Sequence, residues 1–312
     1  MLTINAHYSD GCACDAAKKY SISVGIPTKN RAEKLRKCLN ALRNQTFKDF
    51  NVIVVDGSEG EETREVCFQF SNVLEIVYIK SLKRGVSGAR KLIAENCQSV
   101  ALLYIDDDVY LHKDCISKLF DCYKNLKNRD NYVISGQIKY FGNLTTPIRL
   151  TPQGGGYPTQ SSNADYFVSA LMFVPKTIYQ RIPWNSRFVD WGFEEVLYLL
   201  MCKRHGAKLF WINSLLAVHD NERQENRLSV GTEANRAYTM LYKHVFVEPS
   251  IVNLLILESV GFLRNLVINS IAYLLSPKKL VFFIFSYVYS WVRGHFWFLK
   301  DLGIFKSPSN SM

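Results

Sequence analysis

The stretch VALLYIDDDV at residues 100–109 is the most informative part of this chain. Its first six residues are apolar, which is typical of a buried strand, and Asp106, Asp107 and Asp108 follow directly. Carboxylates crowded at a strand end repel one another and lose part of their hydration, and a bound divalent cation relieves that conflict. A solvated acidic turn that caps the next helix is the alternative, and the stretch taken alone leaves both interpretations open.

Three more strand-like segments precede this stretch, and a helical pattern follows each of them. The segments are residues 21–27, 51–55 and 74–79, and the second is almost uniformly apolar, as a parallel strand covered on both faces would be. Four alternations of strand and helix within about a hundred residues predict an α/β fold with a doubly wound, mostly parallel sheet flanked by helices. We expect Asn30 to cap the helix after the first strand.

Beyond the three aspartates the alternation becomes irregular. Residues 142–164 are polar and include three consecutive glycines at 154–156. A loop of this length within a compact domain is typical of a functional lid or of a partly disordered segment. The expected elements on either side are a helix at 113–126, strands at 132–140, 166–174, 208–212 and 217–219, and a helix at 196–205.

The C-terminal part of the sequence contains two apolar windows, at residues 251–275 and 280–299. Each approaches the roughly 20 residues that span a bilayer, but internal charges make full insertion costly. We therefore expect two apolar helices that lie in a membrane interface, while a packed dimerisation segment and a hairpin through the membrane are the alternatives. The internal charges are Glu258, Arg264, Arg293 and His295, and the cations expected near lipid phosphates are Lys278, Lys279, Arg293 and Lys300.

These patterns divide the chain into three parts. Residues 1–20 form an N-terminal tail, and residues 21–245 form the main α/β domain. Residues 246–312 form a C-terminal helical segment that associates with a membrane or mediates oligomerisation.

The composition narrows the class of partner. The chain has 312 residues, of which 48% are hydrophobic and 21% are charged, and its formal net charge is +10. Such an excess of positive charge favours an anionic partner, either nucleotide phosphates or an anionic membrane surface. No nucleic-acid-binding motif stands out in the sequence, so we expect no nucleic-acid partner.

The cysteines and the first twenty residues bear on the cellular compartment. The eight cysteines are scattered, several of them in apolar helical patterns, which is typical of free thiols in a reducing compartment. Cys12 and Cys14, with His7 nearby, lack the second ligand pair that a structural zinc site usually has. Because the first twenty residues have no apolar core, we expect a cytoplasmic protein that is peripheral on the cytosolic face of a membrane.

Polar side chains follow the carboxyl ends of the expected parallel strands, where ligands bind in open α/β sheets. Residues 27–31 (PTKNR) close the first strand, and Asp56 closes the second. The Asp56 carboxylate would accept a hydrogen bond from a base or a ribose hydroxyl, although a turn-forming Asp-Gly pair explains it equally well. Four nearby cations would suit a diphosphate or simply serve solubility; they are Lys83, Arg84, Arg90 and Lys91.

In the order of these motifs the chain resembles the inverting nucleotide-sugar glycosyltransferases of family 2, which have the GT-A fold. The resemblance covers roughly residues 21–220 and implies that residues 21–245 form a GT-A domain. Each string is short, but five of them in this order are specific. The strings are VGIPTKNR at 24–31, VVDGS at 54–58, RGVSGAR at 84–90, IDDD at 105–108 and WGFEE at 191–195.

The resemblance implies donor-side roles for the matching residues. Asp106 and Asp108 match the D-x-D motif of the family, whose last acid binds the Mn²⁺ or Mg²⁺ that bridges the diphosphate. His219 matches a histidine that adds to metal or diphosphate binding in some relatives, although a core histidine is nearly as good an explanation. The implied nucleotide-sugar-binding residues are Pro27, Thr28, Asn30, Arg31, Asp56, Arg90, Asp106 and Asp107, with Thr28 and Asp56 at the nucleoside.

On the acceptor side, Glu195 matches the general base that removes the proton of the acceptor hydroxyl. This chain has Glu194-Glu195 where the family often has Glu-Asp, so the base is one methylene longer and Glu194 is an alternative base. Lys91 also stands where the family often has asparagine. Trp191 and Trp184 would place indole faces at the acceptor side, where sugars stack, and core packing is the alternative for both.

The implied function is metal-dependent, inverting transfer of a sugar from a nucleoside diphosphate sugar to a hydroxyl of a saccharide or lipid-linked glycan acceptor. UDP-sugars are the commonest donors of the family. One alternative is a nucleotidyltransferase, but residues 27–31 lack the glycines of its usual signature. The other is a non-catalytic membrane-associated scaffold of the same fold, and a homo-oligomer stays open in either case.

Overall fold

A computed structural model describes residues 20–81, 85–190, 192–220, 230–271 and 277–302. Several predictions therefore fall outside the described residues. They are the tail at 1–19 with His7, Cys12 and Cys14, the cations Lys83 and Arg84, and the acceptor-side Trp191.

The described strands form one nine-stranded sheet and a separate two-stranded hairpin. The strands are β1 (Ile22–Thr28), β2 (Phe50–Asp56), β3 (Ile76–Lys80), β4 (Ala101–Ile105), β5 (Val109–Leu111), β6 (Tyr132–Tyr140), β7 (Asn143–Leu144), β8 (Ile148–Leu150), β9 (Gly156–Pro158), β10 (Leu171–Pro175) and β11 (Lys208–His219). The order in the large sheet is β3-β2-β1-β4-β10-β6-β11-β5, with β7 paired to β6, and β8 and β9 form the hairpin.

Helices flank the sheet and continue beyond it. The α-helices are α1 (Ala32–Arg43), α2 (Glu62–Phe70), α3 (Val86–Glu95), α4 (Cys115–Asn125), α5 (Lys176–Tyr179), α6 (Glu194–Arg204), α7 (Val230–Tyr242), α8 (Ile251–Ile256), α9 (Phe262–Ile271) and α10 (Pro277–Asp301). Short 3₁₀ turns lie at Arg129–Asn131 and Ser161–Asn163, and π-helical turns lie at Lys243–Val247 and Leu257–Gly261.

The first four strands of the chain pair in parallel, as predicted. Thr28 lies opposite Asp56 at the carboxyl ends of β1 and β2, and β4 pairs on the other side of β1. The apolar run of β2 is explained by its two covered faces, because Val52 and Val54 belong to one core cluster while Ile53 and Val55 belong to the other. The first helix begins at Ala32 and its N-cap is Arg31 without a side-chain hydrogen bond, so the prediction that Asn30 caps it is wrong.

The later strands make the sheet mixed. β10 lies antiparallel between β4 and β6, and β5 pairs antiparallel with β11. β11 is one strand with two register shifts between Ile212 and Ala217, where the sequence suggested two strands. This pairing places His219 opposite Val109, directly after the three aspartates.

Two further boundaries differ from the expectation. The strand expected at 166–174 begins only at Leu171, and the helix expected at 196–205 begins at Glu194. The early start of α6 puts both glutamates in its first turn. The long polar segment at 142–164 contains β7, the β8–β9 hairpin and a 3₁₀ turn.

The C-terminal helices form a layer on the α/β domain. Three helices, α8, α9 and α10, stand in the described residues where two were expected. α10 packs against α7, and a Cβ on Gly294 would collide with the backbone of Ala234, so this glycine permits the close approach. Within the described part of the chain, no helix combines the length and hydropathy required to cross a membrane.

Candidate active site

A cavity of about 1060 Å³ opens at the carboxyl ends of the parallel strands. It brings together residues that lie far apart in the sequence, from the loops after β1, β2 and β4, from the start of α6 and from the end of β11. Ten of the predicted site residues line it, namely Pro27, Thr28, Arg31, Arg90, Asp106, Asp107, Asp108, Glu194, Glu195 and His219.

One wall of the cavity carries a group of side chains that suits a divalent cation. Ligand atoms of Asp106, Asp108 and His219 all lie within 4.8 Å of one another. His219 Nε2 lies 2.8 Å from Asp108 Oδ1, while its buried Nδ1 has no hydrogen-bond partner among the described residues. Two carboxylates fit Mg²⁺ or Mn²⁺, and an imidazole is a common ligand of transition metals, so the donor set fits the expected ion.

Arg31 balances the charge of these carboxylates. Its guanidinium contacts Asp108 and lies 3.0 Å from Asp107 Oδ1. Burial raises the pKa of Asp107 to about 7, even though Arg31 and a 2.7 Å hydrogen bond from Thr28 act in the opposite direction. For Asp108, burial also favours the neutral acid, but His219 and Arg31 outweigh it and lower the pKa. The two adjacent acids therefore differ in their readiness to ionise.

Asp56 and Asn30 do not line the cavity. The Asp56 carboxylate is fully buried and accepts hydrogen bonds from Ser58 N at 2.8 Å and from the Tyr78 hydroxyl at 2.7 Å. It thereby holds the turn at 57–58, which does line the cavity. Asn30 has a φ of 55° and an exposed side chain, and its backbone N donates to Ser58 Oγ at 2.7 Å. Both residues shape the loops of the cavity.

Arg90 connects the cation-binding wall to the glutamates of α6. It is buried, with Nη2 2.9 Å from Asp106 Oδ1 and Nη1 3.9 Å from Glu194 Oε1. Its Nε and Nη1 donate no hydrogen bond within the described residues. Arg90 lines the cavity, but these two nitrogens are themselves buried, so its charge and not a free donor is what the cavity receives.

Glu194 and Glu195 lie in the first turn of α6, after Gly192 and Phe193 in left-handed conformations with φ of 105° and 65°. The Gly192 amide donates to Glu194 Oε2 at 2.7 Å, so this carboxylate is fixed within the loop. Burial and the charge of Glu194 raise the pKa of Glu195 to about 8. A carboxylate with a pKa near neutrality in a cavity has the properties of a general base.

A residue that the sequence analysis missed supports this loop. Asn235 of α7 is buried, and its Nδ2 donates to the carbonyl oxygens of Asp190 and Gly192, both at 3.0 Å. The sequence contains one signal for this role. Asn235 stands between Ala234 and Ala237 on the buried side of α7, and a buried side-chain amide is usually hydrogen-bonded to a specific partner.

Of the two interpretations of Trp184, the structure supports core packing and not a place at the acceptor side. Trp184 is buried, stacks on Tyr198 with ring centroids 4.2 Å apart, and meets Tyr104 edge-on at 5.5 Å. Arg90 lies 4.8 Å above its ring. Its indole is therefore part of the core that supports Arg90.

Comparison with known proteins identifies the family. A model described as glycosyl transferase family 2 matches residues 23–186, which is more than half of the chain. The chain belongs to this family. The GalNAc(5)-diNAcBac-PP-undecaprenol beta-1,3-glucosyltransferase of Campylobacter jejuni is 23% identical over 227 residues, which are 70% of this chain and 70% of that protein. The chain spans only 14% and 33% of two other matching glycosyltransferases, from Streptococcus pneumoniae and Haloferax volcanii.

Solved structures share the fold. The S. aureus TarS 1-349 structure with UDP-GlcNAc is similar with a TM-score of 0.58 and 16% identity, covering 74% of this chain and 68% of that one. The mannosyltransferase PcManGT from Pyrobaculum calidifontis, with GDP-Man and Mn²⁺, gives a TM-score of 0.55 and 12% identity, covering 93% and 90%. These similarities confirm the predicted GT-A-type α/β fold.

Proposed function

We propose that this chain is a metal-dependent, inverting glycosyltransferase. It transfers a sugar from a nucleoside diphosphate sugar, a UDP-sugar in the first instance, to a hydroxyl of a saccharide or lipid-linked glycan. The observation that carries the proposal is that the cation-binding group of Asp106, Asp108 and His219 shares one cavity with Glu194 and Glu195.

The donor occupies the side of the cavity formed by β1, β2 and β4. Pro27, Thr28 and the turn that Asp56 holds surround the nucleoside, and Asn30 fixes that turn through its backbone. Arg31 and Arg90 bind the diphosphate and the sugar, with Asp106 and Asp107 beside them. Asp108 and His219 hold Mn²⁺ or Mg²⁺, which when bound neutralises the charge that develops on the departing nucleoside diphosphate.

The acceptor hydroxyl approaches from the side of α6. Glu195 removes its proton, and inversion follows because the base and the leaving group lie on opposite faces of the donor sugar. Glu194, held by Gly192 and Arg90, orients the loop and raises the proton affinity of Glu195 through its charge. Trp191, outside the described residues, belongs to the acceptor side in this proposal.

The comparisons support the donor and acceptor classes. TarS is described with UDP-GlcNAc and PcManGT with GDP-Man and Mn²⁺, so a nucleotide-sugar donor and a divalent metal suit this fold. The name of the C. jejuni relative specifies an undecaprenol-linked glycan, which supports a lipid-linked acceptor here. We assign the transfer to residues 21–245 and membrane association to residues 246–312, which places the protein peripherally on the cytosolic face of a membrane.

Release of nucleoside diphosphate from a panel of donors, with and without Mn²⁺ or Mg²⁺, tests the proposal. Asp108→Asn should abolish metal-dependent release, whereas Asp121→Asn, an exposed acid on α4, should leave it unchanged. Glu195→Gln should retain donor binding and stop transfer, and Glu194→Gln distinguishes the alternative base. Full turnover in the presence of a chelator would remove the metal from the mechanism, and pyrophosphate release from a nucleoside triphosphate would indicate a nucleotidyltransferase.

A further inference from the structure

Helix α10 has apolar side chains on two opposite sides. One side packs on α7 and α9 through Tyr287, Trp291 and Phe298, which are buried. The other side is exposed to solvent although it is apolar, with exposures of 73% at Phe285 and 62% at Tyr289. We call this exposed set the outer face; it consists of Val281, Ile284, Phe285, Val288, Tyr289, Val292 and Phe296.

The spacing of the outer face shows that it is one continuous stripe. Its members recur every three or four residues along α10, and residues with that spacing lie on the same side of a helix. A surface helix of a water-soluble domain usually carries polar residues on this side. Seven exposed apolar side chains on one side of a helix therefore indicate a surface that meets a non-aqueous partner.

The preceding helices add to this surface. α8, the π-turn after it and α9 carry exposed apolar side chains as well, and Ile251 is 78% exposed. This segment is joined to α10 by the packing of Phe262 on Trp291 at 5.3 Å and by a 2.7 Å contact between Glu258 and His295 Nε2. The exposed members are Ile251, Val252, Leu255, Val260, Leu263 and Val267.

Charge decides what kind of partner fits. Residues 251–302 contain five lysines or arginines and two acids, a net charge of +3. Both acids are bound within the protein, Glu258 by His295 and Asp301 by Arg187 at 2.9 Å and by the Tyr238 hydroxyl at 2.7 Å. Lys300, in contrast, is exposed at the end of α10. The segment therefore combines exposed apolar side chains with a net positive charge.

A second copy of this chain fits such a surface poorly, since each copy carries a net charge of +10 and the two cationic segments would repel each other. An anionic lipid surface satisfies both properties. Valine and phenylalanine side chains enter the boundary between headgroups and acyl chains, tyrosine is favoured at that level, and lysine and arginine approach the lipid phosphates.

We propose that the outer face of α10, together with the exposed side of α8–α9, docks this protein on an anionic lipid leaflet. The helices lie in the interface and do not cross it. The docking rests on the membrane association proposed above for residues 246–312 and adds the surface and the lipid charge that mediate it. The lipid contact itself requires no catalysis.

Vesicle co-sedimentation of the full chain tests the docking. Vesicles of phosphatidylcholine with about one third phosphatidylglycerol should bind the protein at low salt, while pure phosphatidylcholine vesicles should bind it far more weakly. The double variant Phe285→Ser, Tyr289→Ser should weaken binding at least tenfold, because both side chains leave the apolar boundary. Phe68→Ser, Tyr157→Ser is the matched control, with one exposed phenylalanine and one exposed tyrosine elsewhere, and should bind as the parent does.

Two results would overturn the docking. One is unchanged vesicle binding by the Phe285, Tyr289 double variant. The other is a dimer in sedimentation velocity without vesicles that this variant dissociates, which would assign the outer face to a second copy. Donor hydrolysis in solution separates the docking proposal from the catalytic proposal, because the double variant should retain hydrolysis. Vesicle binding without any turnover would leave the docking in place and refute the catalytic proposal.

Discussion

Replacing Asn235 by alanine tests whether α7 holds the loop that carries the glutamates. The Asn235 amide donates to the carbonyl oxygens of Asp190 and Gly192, both at 3.0 Å. Gly192 is the first of the two left-handed residues that lead into α6. Two hydrogen bonds at about 1 kcal/mol each give about 2 kcal/mol of lost stability. The loss rises toward about 3 kcal/mol because the Gly192 carbonyl oxygen loses its partner in a buried place, whereas that of Asp190 is only part-buried.

The effect on catalysis should exceed the effect on donor binding. A shift of about 1 Å in a catalytic group reduces the rate on the order of 100-fold, so kcat should fall about 10- to 100-fold. The donor side is built by β1, β2 and β4, which Asn235 does not touch, so KM for the donor should change less than about threefold. Asn235→Asp should be at least as harmful, because a carboxylate would face the two carbonyl oxygens.

Steady-state kinetics and thermal denaturation of the same preparations measure both effects. Thr239→Val is the matched control, since Thr239 is equally buried one turn later on α7 and its hydroxyl has no hydrogen-bond partner among the described residues. The free energy of unfolding of this control should stay within about 0.5 kcal/mol of the parent, and its kcat should be unchanged. Two results would show that Asn235 does not position the glutamate loop. One is a folded Asn235→Ala protein with unchanged kcat, and the other is a donor KM that rises in step with the loss of kcat.

Three further predictions concern pH and backbone geometry. Because the pKa of Glu195 is raised to about 8, kcat/KM should rise with pH through that value, which a pH–rate profile would record. For the same reason the free energy of unfolding should fall from about pH 4.5 to 8 in a pH–stability profile. Gly85→Ala should lower the melting temperature more than Gly142→Ala, since both have positive φ but only a Cβ at Gly85 meets neighbouring backbone, at 2.7 Å. Asp165→Asn should cost about 3 kcal/mol at neutral pH, because the buried Lys243 loses its nearest carboxylate and keeps only Glu248, at 3.4 Å. Burial opposes ionisation of Asp165, but its lysine partners lower the pKa, so that loss should shrink as pH falls below about 4 in denaturant titrations.

Local patterns were sufficient for the first half of the fold. The apolar runs before Asp56 and Asp106 predicted parallel strands, and the structure confirms them as β2 and β4. Strand formation and the placement of polar residues at strand ends depend on neighbours within a few positions, which a sequence displays directly. That Asp108 and Glu195 would share a cavity was implied by the order of the family motifs and not by a local pattern, and both residues line the cavity.

The contacts of individual side chains were harder to predict from the sequence. Asp56 was expected to face a ligand, yet its carboxylate is enclosed by Ser58 and Tyr78. Trp184 was expected at the acceptor side, yet it stacks on Tyr198 in the core. Both outcomes depend on how elements pack against each other, because many partners can cover a polar turn or an indole and the sequence does not specify which one does.

The α/β class, the strand ends and the identity of the acids were therefore predictable from the sequence, since they follow from short-range hydrophobic patterning and from motif order. The pairing of β5 with β11, which brings His219 within 2.8 Å of Asp108 across 111 positions, becomes visible only in the folded chain. The same is true of the support that Asn235 gives to the glutamate loop and of the exposed outer face of α10. Contacts between distant segments depend on strand order and helix packing, and a local pattern is compatible with several such arrangements.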